Sequence, residues 1–220
     1  MSHRLHSVAT LALLGLFAGS AAQAASFDCN KARTPMEKAI CSDMKLSALD
    51  DELNAAYKAA LERSGSKEAI RRWQRDWLKS YAVTRCKDAT CWQAQFSERI
   101  AALKNVAGSQ EPAARWSGHY VRYTSGRKEI DPASITLIGL SGNRVFASGN
   151  ALWEGPNAAN GQVHTGEIEG IGHLKGGKAV FDLDGCSATL ALEAQGLTVL
   201  EESGCGGMNV SFVGNYRREK

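Results

Sequence analysis

Gly108-Ser109-Gln110-Glu111-Pro112-Ala113-Ala114-Arg115-Trp116 is the stretch at which the chain changes character. Between residue 25 and this stretch the only glycine is Gly65, whereas 18 of the 22 glycines lie beyond residue 110. Glycine is costly inside helices and useful in tight turns, so the asymmetry separates a helical half from a turn-rich one. The hydrophobic period changes at the same place, from three-to-four residues before it to two after it.

Upstream, Thr34-Pro35-Met36-Glu37 reads as an N-cap, a proline at the first helical position and a capping-box acid, which starts a short helix ending near Cys41. Ser47 with Asp50 reads as the next cap. Leu46, Leu49, Leu53, Tyr57, Ala60 and Leu61 then fall on one face of a helix ending near Gly65. Ser66 starts a third helix with an aromatic stripe of Ile70, Trp73, Trp77 and Tyr81. Thr90 starts a fourth carrying Trp92, Phe96, Ile100, Leu103 and Val106. Four amphipathic segments in this length describe a small helical bundle, and at helical spacing Trp73 and Trp77 read as core rather than as a sugar-stacking platform.

Downstream, Ala179, Phe181 and Leu183 alternate with Lys178, Asp182 and Asp184, and Val210, Phe212 and Tyr216 recur in the last segment. Turn signals at Ser125-Gly126, Ser141-Gly142-Asn143, Gly176-Gly177, Asp184-Gly185 and Gln195-Gly196 fall at hairpin spacing. Together they predict about eight antiparallel strands in a barrel or sandwich. Trp116-Ser117-Gly118-His119-Tyr120 and Phe212-Val213-Gly214-Asn215-Tyr216 share an aromatic-x-glycine-x-tyrosine form, which suggests that the first and last strands pair. The expected fold class is therefore α+β in two domains, a helical one over 25–109 and an all-β one over 110–220.

The chain has 220 residues, 44% of them hydrophobic, which is enough for two cores. Lys and Arg number 26 against 23 Asp and Glu, too even for a dedicated nucleic-acid binder. Arg4, the apolar run Leu11 to Ala18, and Ala22-Gln23-Ala24 read as a signal peptide over residues 1–24, cleaved near Ala24. The run is too short for a transmembrane anchor, so a periplasmic or secreted protein is expected. Export makes disulfides the default for Cys29, Cys41, Cys86, Cys91, Cys186 and Cys205. Keeping bridges within each half pairs Cys186 with Cys205 and leaves three options for the rest. Spacing favours the local pairs Cys29–Cys41 and Cys86–Cys91, with Cys29–Cys86 and Cys41–Cys91 as the alternative.

Chemistry-bearing constellations are sparse. His164 and His173 are an odd number of residues apart, so one strand would put them on opposite faces. Asp182-x-Asp184-Gly185 lacks the terminal glutamate of a calcium loop and reads as a strand end. There is no nucleophile elbow, phosphate-cradling loop or zinc-protease helix, and no carboxylate pair can be placed across a cleft. Neither an enzyme nor a cofactor or metal is expected. The halves carry opposite charge, with 15 basic and 11 acidic residues in 25–109 and 10 and 12 in 110–220. Arg71, Arg75 and Lys79 form a basic helical face, either simply solvated or able to contact anionic envelope polymer.

Phe27-Asp28-Cys29, Lys31-Ala32, Thr34, Glu37, Ala39-Ile40-Cys41, Leu46, Leu49-Asp50, Leu53, Tyr57, Gln74, Trp77, Cys86, Cys91, Arg99-Ile100 and Leu103 follow one another in an order that closely resembles the N-terminal domain of the LprI-type lysozyme inhibitors. Thr84-Arg85 departs from the polar pair common in that family before the third cysteine. In the other half, Ala147-Ser148-Gly149 followed by Leu152-Trp153-x-Gly155 is similar to part of the signature of the periplasmic c-type lysozyme inhibitors, without the tyrosine and spacer expected between the two pieces. That similarity implies that Ser148, flanked by Gly149 and near Trp153, lies on a loop entering the lysozyme cleft. The plainer reading is a serine-glycine turn and a core tryptophan. The resemblances imply an inhibitor that occludes the cleft of a lysozyme or other muramidase; weighed with the opposite charges of the halves against a basic target, both halves are expected to take part, with the Gly142–Gly161 segment in contact. The alternative is a non-inhibitory envelope-binding module.

Overall fold

The computed structural model describes residues 26–124, 127–128 and 132–219. The signal-peptide assignment over 1–24 and the Ser125-Gly126 turn lie outside the described residues.

Helix α1 spans Pro35–Ser42 and carries the full capping box. The Thr34 hydroxyl accepts the Glu37 N–H, and the Glu37 carboxylate accepts the Thr34 N–H at 2.8 Å and the Arg33 N–H at 2.7 Å. Those backbone bonds hold the Glu37 pKa below its ordinary value. Helix α2 (Met44–Arg63) starts earlier than the Ser47 reading expects. Asp43 ends α1 in extended conformation, and its carboxylate accepts the Leu46 N–H at 2.7 Å, which leaves Ser47 buried inside the helix. A charged acceptor at a helix N-terminus is a strong cap, so the first available Asp wins.

Helix α3 (Lys67–Lys79) is capped by Ser66 as expected, but the chain breaks at Ser80 and restarts as the one-turn helix α4 (Tyr81–Thr84), capped by the Ser80 hydroxyl. Tyr81 therefore leaves the stripe and stands 77% exposed. Helix α5 (Ala89–Lys104) is capped by Asp88 rather than Thr90, and buries Trp92, Phe96, Ile100 and Leu103.

The second half is a closed antiparallel barrel. Its strands are β1 (Gly118–Thr124), β3 (Ala133–Leu140), β4 (Arg144–Glu154), β5 (Val163–Lys175), β6 (Lys178–Leu183), β7 (Cys186–Leu192), β8 (Gly196–Ser203) and β9 (Gly214–Glu219), with the two-residue β2 (Arg127–Lys128) paired to the end of β1. Each of the eight pairs with its chain neighbour in the ring, and β9 returns to β1 in the register His119↔Glu219 to Arg122↔Tyr216. Closure leaves the barrel without free edges.

The repeated aromatic-x-glycine-x-tyrosine motif sits at this seam. Tyr120 donates its hydroxyl to the Trp116 carbonyl at 3.0 Å, and Tyr216 donates its own to the Phe212 carbonyl at 2.6 Å. Both tyrosines thus bond the backbone four residues upstream. Arg218 of β9 reaches back to the Tyr120 hydroxyl at 2.6 Å and the Arg115 carbonyl at 2.8 Å.

β3 is buried on both faces. Ile135 and Leu137 point into the barrel core, whereas Ile138 and Leu140 point outward into the helical core with Trp73, Ile100 and Leu103. The two halves therefore share apolar packing, and the stretch read as a boundary is a buried joint. Ala113 and Ala114 are shielded from water, in the 3₁₀ turn Pro112–Trp116. A Cβ on Gly65 would lie 2.0 Å from the Ala114 carbonyl oxygen, and one on Gly139 would lie 2.1 Å from that of Ala113. Only glycine lets α2's end and β3 approach the joint so closely.

Three disulfides complete the fold: Cys29–Cys41 across α1, Cys86–Cys91 between α4 and α5, and Cys186–Cys205, with Cα separations of 5.8, 5.5 and 4.5 Å. The last holds the 205–210 segment against β5, where the Cys205 carbonyl accepts the Glu167 N–H at 2.9 Å and Gly166 pairs with Gly206. The architecture is α+β, a helical layer on a closed eight-stranded barrel.

Candidate functional site

The helices cover only part of the barrel wall, and where they end a cleft of about 610 Å³ opens between the two halves. Its helical wall comes from Trp73, Asp76 and Trp77 of α3, Tyr81 of α4, and Gln95, Glu98 and Arg99 of α5. Its barrel wall comes from Phe146 and Ser148 of β4 and Glu167 and Glu169 of β5. Strand alternation accounts for the second set. Val145 and Ala147 face the barrel core, so Phe146 and Ser148 face out, and the buried Ile168 puts Glu167 and Glu169 on the outer face. Register then sets Ser148 directly opposite Glu169.

Arg99 is the unusual member. It is only 4% exposed, its guanidinium lies 3.7 Å from the Trp73 ring centroid and 5.5 Å from that of Trp77, and its Nε donates to the Gln74 amide oxygen at 2.8 Å. Its Nη2 is buried with no hydrogen-bond partner among the described residues. Burial pushes its pKa down to about 9, the usual penalty for taking a cation out of water. The indoles compensate in part, because the face of each ring is electron-rich. Trp73 in turn packs on Phe146 at 5.2 Å, an aromatic contact across the two halves.

On the opposite wall the Glu169 pKa is raised, first by burial and then by the Glu167 carboxylate two residues away on the same face. Helix and strand thus bring four carboxylates, Asp76, Glu98, Glu167 and Glu169, to one cleft, an arrangement the sequence reading did not find. Two signals for it are present in the sequence: Arg99 falls on the apolar stripe of α5 beside Phe96, Ile100 and Leu103, and Glu167 and Glu169 alternate on one strand face.

The residues singled out from the sequence scatter. Ser148 lines the cleft, but it sits in the middle of β4 and not on a loop, because β3 and β5 pair with it on both sides. Gly149 is sealed in the sheet, where a Cβ would lie 2.8 Å from the Ser134 carbonyl oxygen. Trp153 is half-buried at the end of β4, tilted against His164 at 5.0 Å, and is neither a core nor a cleft residue. Arg71 and Arg75 lie on the outer face of α3 and both approach Glu68, at 3.8 and 3.3 Å, with Lys79 in the last turn. Of the Gly142–Gly161 segment, only the turn at Gly142 and the tip beyond Glu154 are exposed loop.

Comparison with known proteins bears on the helical half. Residues 29–125 match the family model described as Lysozyme inhibitor LprI. This part of the chain is similar to the LprI family. No curated protein and no solved structure matches the chain. The LprI segment runs past the helices, through the buried joint and into β1, so the boundary placed at 109 from composition falls inside it. The cleft is composite. Its helical wall lies within the residues that match the LprI model and its barrel wall on strands beyond them.

Proposed function

We propose that the mature protein is an exported, non-catalytic inhibitor that binds a muramidase and occludes its substrate cleft. The observation that carries this reading is the LprI match over residues 29–125, which brings with it a family described as lysozyme inhibitors. Three disulfides and the absence, among the described residues, of a helix long and apolar enough to cross a membrane support the periplasmic or secreted setting. Occlusion needs a rigid body more than a reactive group, and the packing of α3 and α5 on β3 and β4 supplies one. A glycan-cleaving site works only while a sugar chain can lie between its two carboxylates, so any well-packed surface over that groove stops turnover.

Charge supports a contribution from the barrel half. A basic lysozyme is drawn toward the net-negative residues 110–220 and repelled by the net-positive 25–109, and such steering fades with salt. The LprI match covers the helical half and reaches into β1, so the proposal gives both halves a part in the interface. The test is a clearing assay in which purified mature protein is titrated against a basic c-type lysozyme at low and high salt. Saturable inhibition that weakens with salt is expected. Absence of inhibition at any ratio would overturn the reading and move the protein to the envelope-binding class, in which Arg71, Arg75 and Lys79 would contact polymer.

A further inference from the structure

The cleft between the helices and the barrel has a chemistry that inhibition of a protein does not require. The barrel wall offers the carboxylates of Glu167 and Glu169; the helical wall offers those of Asp76 and Glu98 and holds the buried Arg99 against the indoles of Trp73 and Trp77. Trp77 is half-buried in the helical wall, and Tyr81 stands at the mouth with 77% of its surface in water. Gln95, Ser80 and Ser148 add neutral donors and acceptors. A volume of about 610 Å³ lies within the range of small-ligand sites.

Charge selects among occupants. A small cation would suit the carboxylates but would share the cleft with the Arg99 guanidinium, and among the described residues no group of three or more His, Cys, Asp or Glu is placed to hold a metal ion. An anion would suit Arg99 but face four carboxylates. A neutral polyol fits better, because each hydroxyl can donate to a carboxylate and accept from the Gln95 amide or a serine hydroxyl of the lining. A saccharide adds an apolar C–H face that lies flat on an aromatic ring, which is what Trp77 and Tyr81 offer.

We propose that this cleft binds a chain of pyranose sugars, with the rings against Trp77 and Tyr81 and the hydroxyls on Glu167, Glu169 and Asp76. The bound sugar screens Glu167 from Glu169 by donating to both, and fills the space at the end of the helical layer. The protein would then hold glycan by one site and a glycan-cleaving enzyme by another surface. The proposal stands whether or not the chain inhibits a muramidase.

The test is titration of the full mature chain, with no lysozyme present, with the N-acetylglucosamine trisaccharide and with cellotriose, followed by tryptophan fluorescence and calorimetry. The two probes share the pyranose chain and differ in the acetamido group, so their ratio shows whether that group is read. Saturable binding of at least one, with a fluorescence change and dissociation on the order of 0.1–1 mM, is expected. Tyr81→Ala and Glu167→Gln, both at exposed positions, should each weaken it about fivefold or more while leaving the circular dichroism unchanged and the melting temperature no lower, and Arg71→Ala should leave it intact. No saturable binding by either sugar up to roughly 10 mM overturns the proposal. So does binding that Tyr81→Ala and Glu167→Gln leave untouched, which places the sugar elsewhere. Saturable binding of a lysine- and arginine-rich peptide, with no response to either sugar, would overturn it in favour of a basic protein segment as the occupant.

Discussion

Replacing Ile138 by Ala distinguishes one shared core from two independent halves. Ile138 projects from the outer face of β3, where an isolated barrel would expose it to water and lose little by its truncation. In the fold it is 0% exposed and packs among α3 and α5 residues. Truncating a fully buried isoleucine removes its transfer free energy and leaves a cavity, together about 2–5 kcal/mol. A chain of this size shifts its melting temperature by about 2–4 °C per kcal/mol. Thermal unfolding of Ile138→Ala should therefore show a fall of roughly 5–15 °C. The transition should stay single, with far-ultraviolet dichroism reporting the helices and tryptophan fluorescence reporting both halves at the same midpoint. Ile135→Ala, on the inner face of the same strand, serves as the control for a barrel-only cavity. A loss below about 0.5 kcal/mol for Ile138→Ala, or a split into two transitions in wild type, would refute the shared core.

Gly139→Ala should destabilise by about 1–3 kcal/mol or more, because its Cβ would be driven into the Ala113 carbonyl at the joint, and chemical denaturation measures this directly. Non-reducing peptide mapping should recover Cys29–Cys41, Cys86–Cys91 and Cys186–Cys205 with no free thiol. Replacing the last pair by serine should cost about 3 kcal/mol by freeing a loop of that length in the unfolded chain. His119 is held neutral by burial and then by Arg72, against the opposing pull of Glu219 at 4.0 Å, so its folded pKa lies below the ordinary value. The unfolded chain then binds the extra proton, and stability should fall as pH drops below about 6.5, a slope that His119→Gln should flatten. Glu169 has the opposite sign: its pKa is raised, so its charge costs stability at neutral pH, and Glu169→Gln should raise the melting temperature at pH 7 with a gain that shrinks as pH falls through the carboxylate range.

Local chemistry was legible in the sequence because its causes are local. The capping box at Thr34-Pro35-Met36-Glu37, the hairpin turns at Ser141-Gly142-Asn143, Gly176-Gly177 and Asp184-Gly185, and the in-out alternation of Lys178–Leu183 each depend on residues within a few positions of one another. The pairing of the first and last strands was also visible, since the two aromatic-x-glycine-x-tyrosine motifs repeat one local device, a tyrosine hydroxyl bonded to the carbonyl four residues back. What the sequence could not show is which surfaces meet. Composition marks Gly108–Trp116 as a seam, yet whether that seam is a loose tether or a buried joint depends on Gly65 and Gly139, separated by more than seventy residues and both pressed onto it. Ser148 likewise looked like part of a turn, and only pairing with β3 on one side and β5 on the other makes it a mid-strand residue in a cleft wall. The cleft itself has no sequence signature. Its helical and barrel walls come from segments about seventy residues apart, and a long-range site of this kind exists only once α3 and α5 have packed against the outside of the closed barrel.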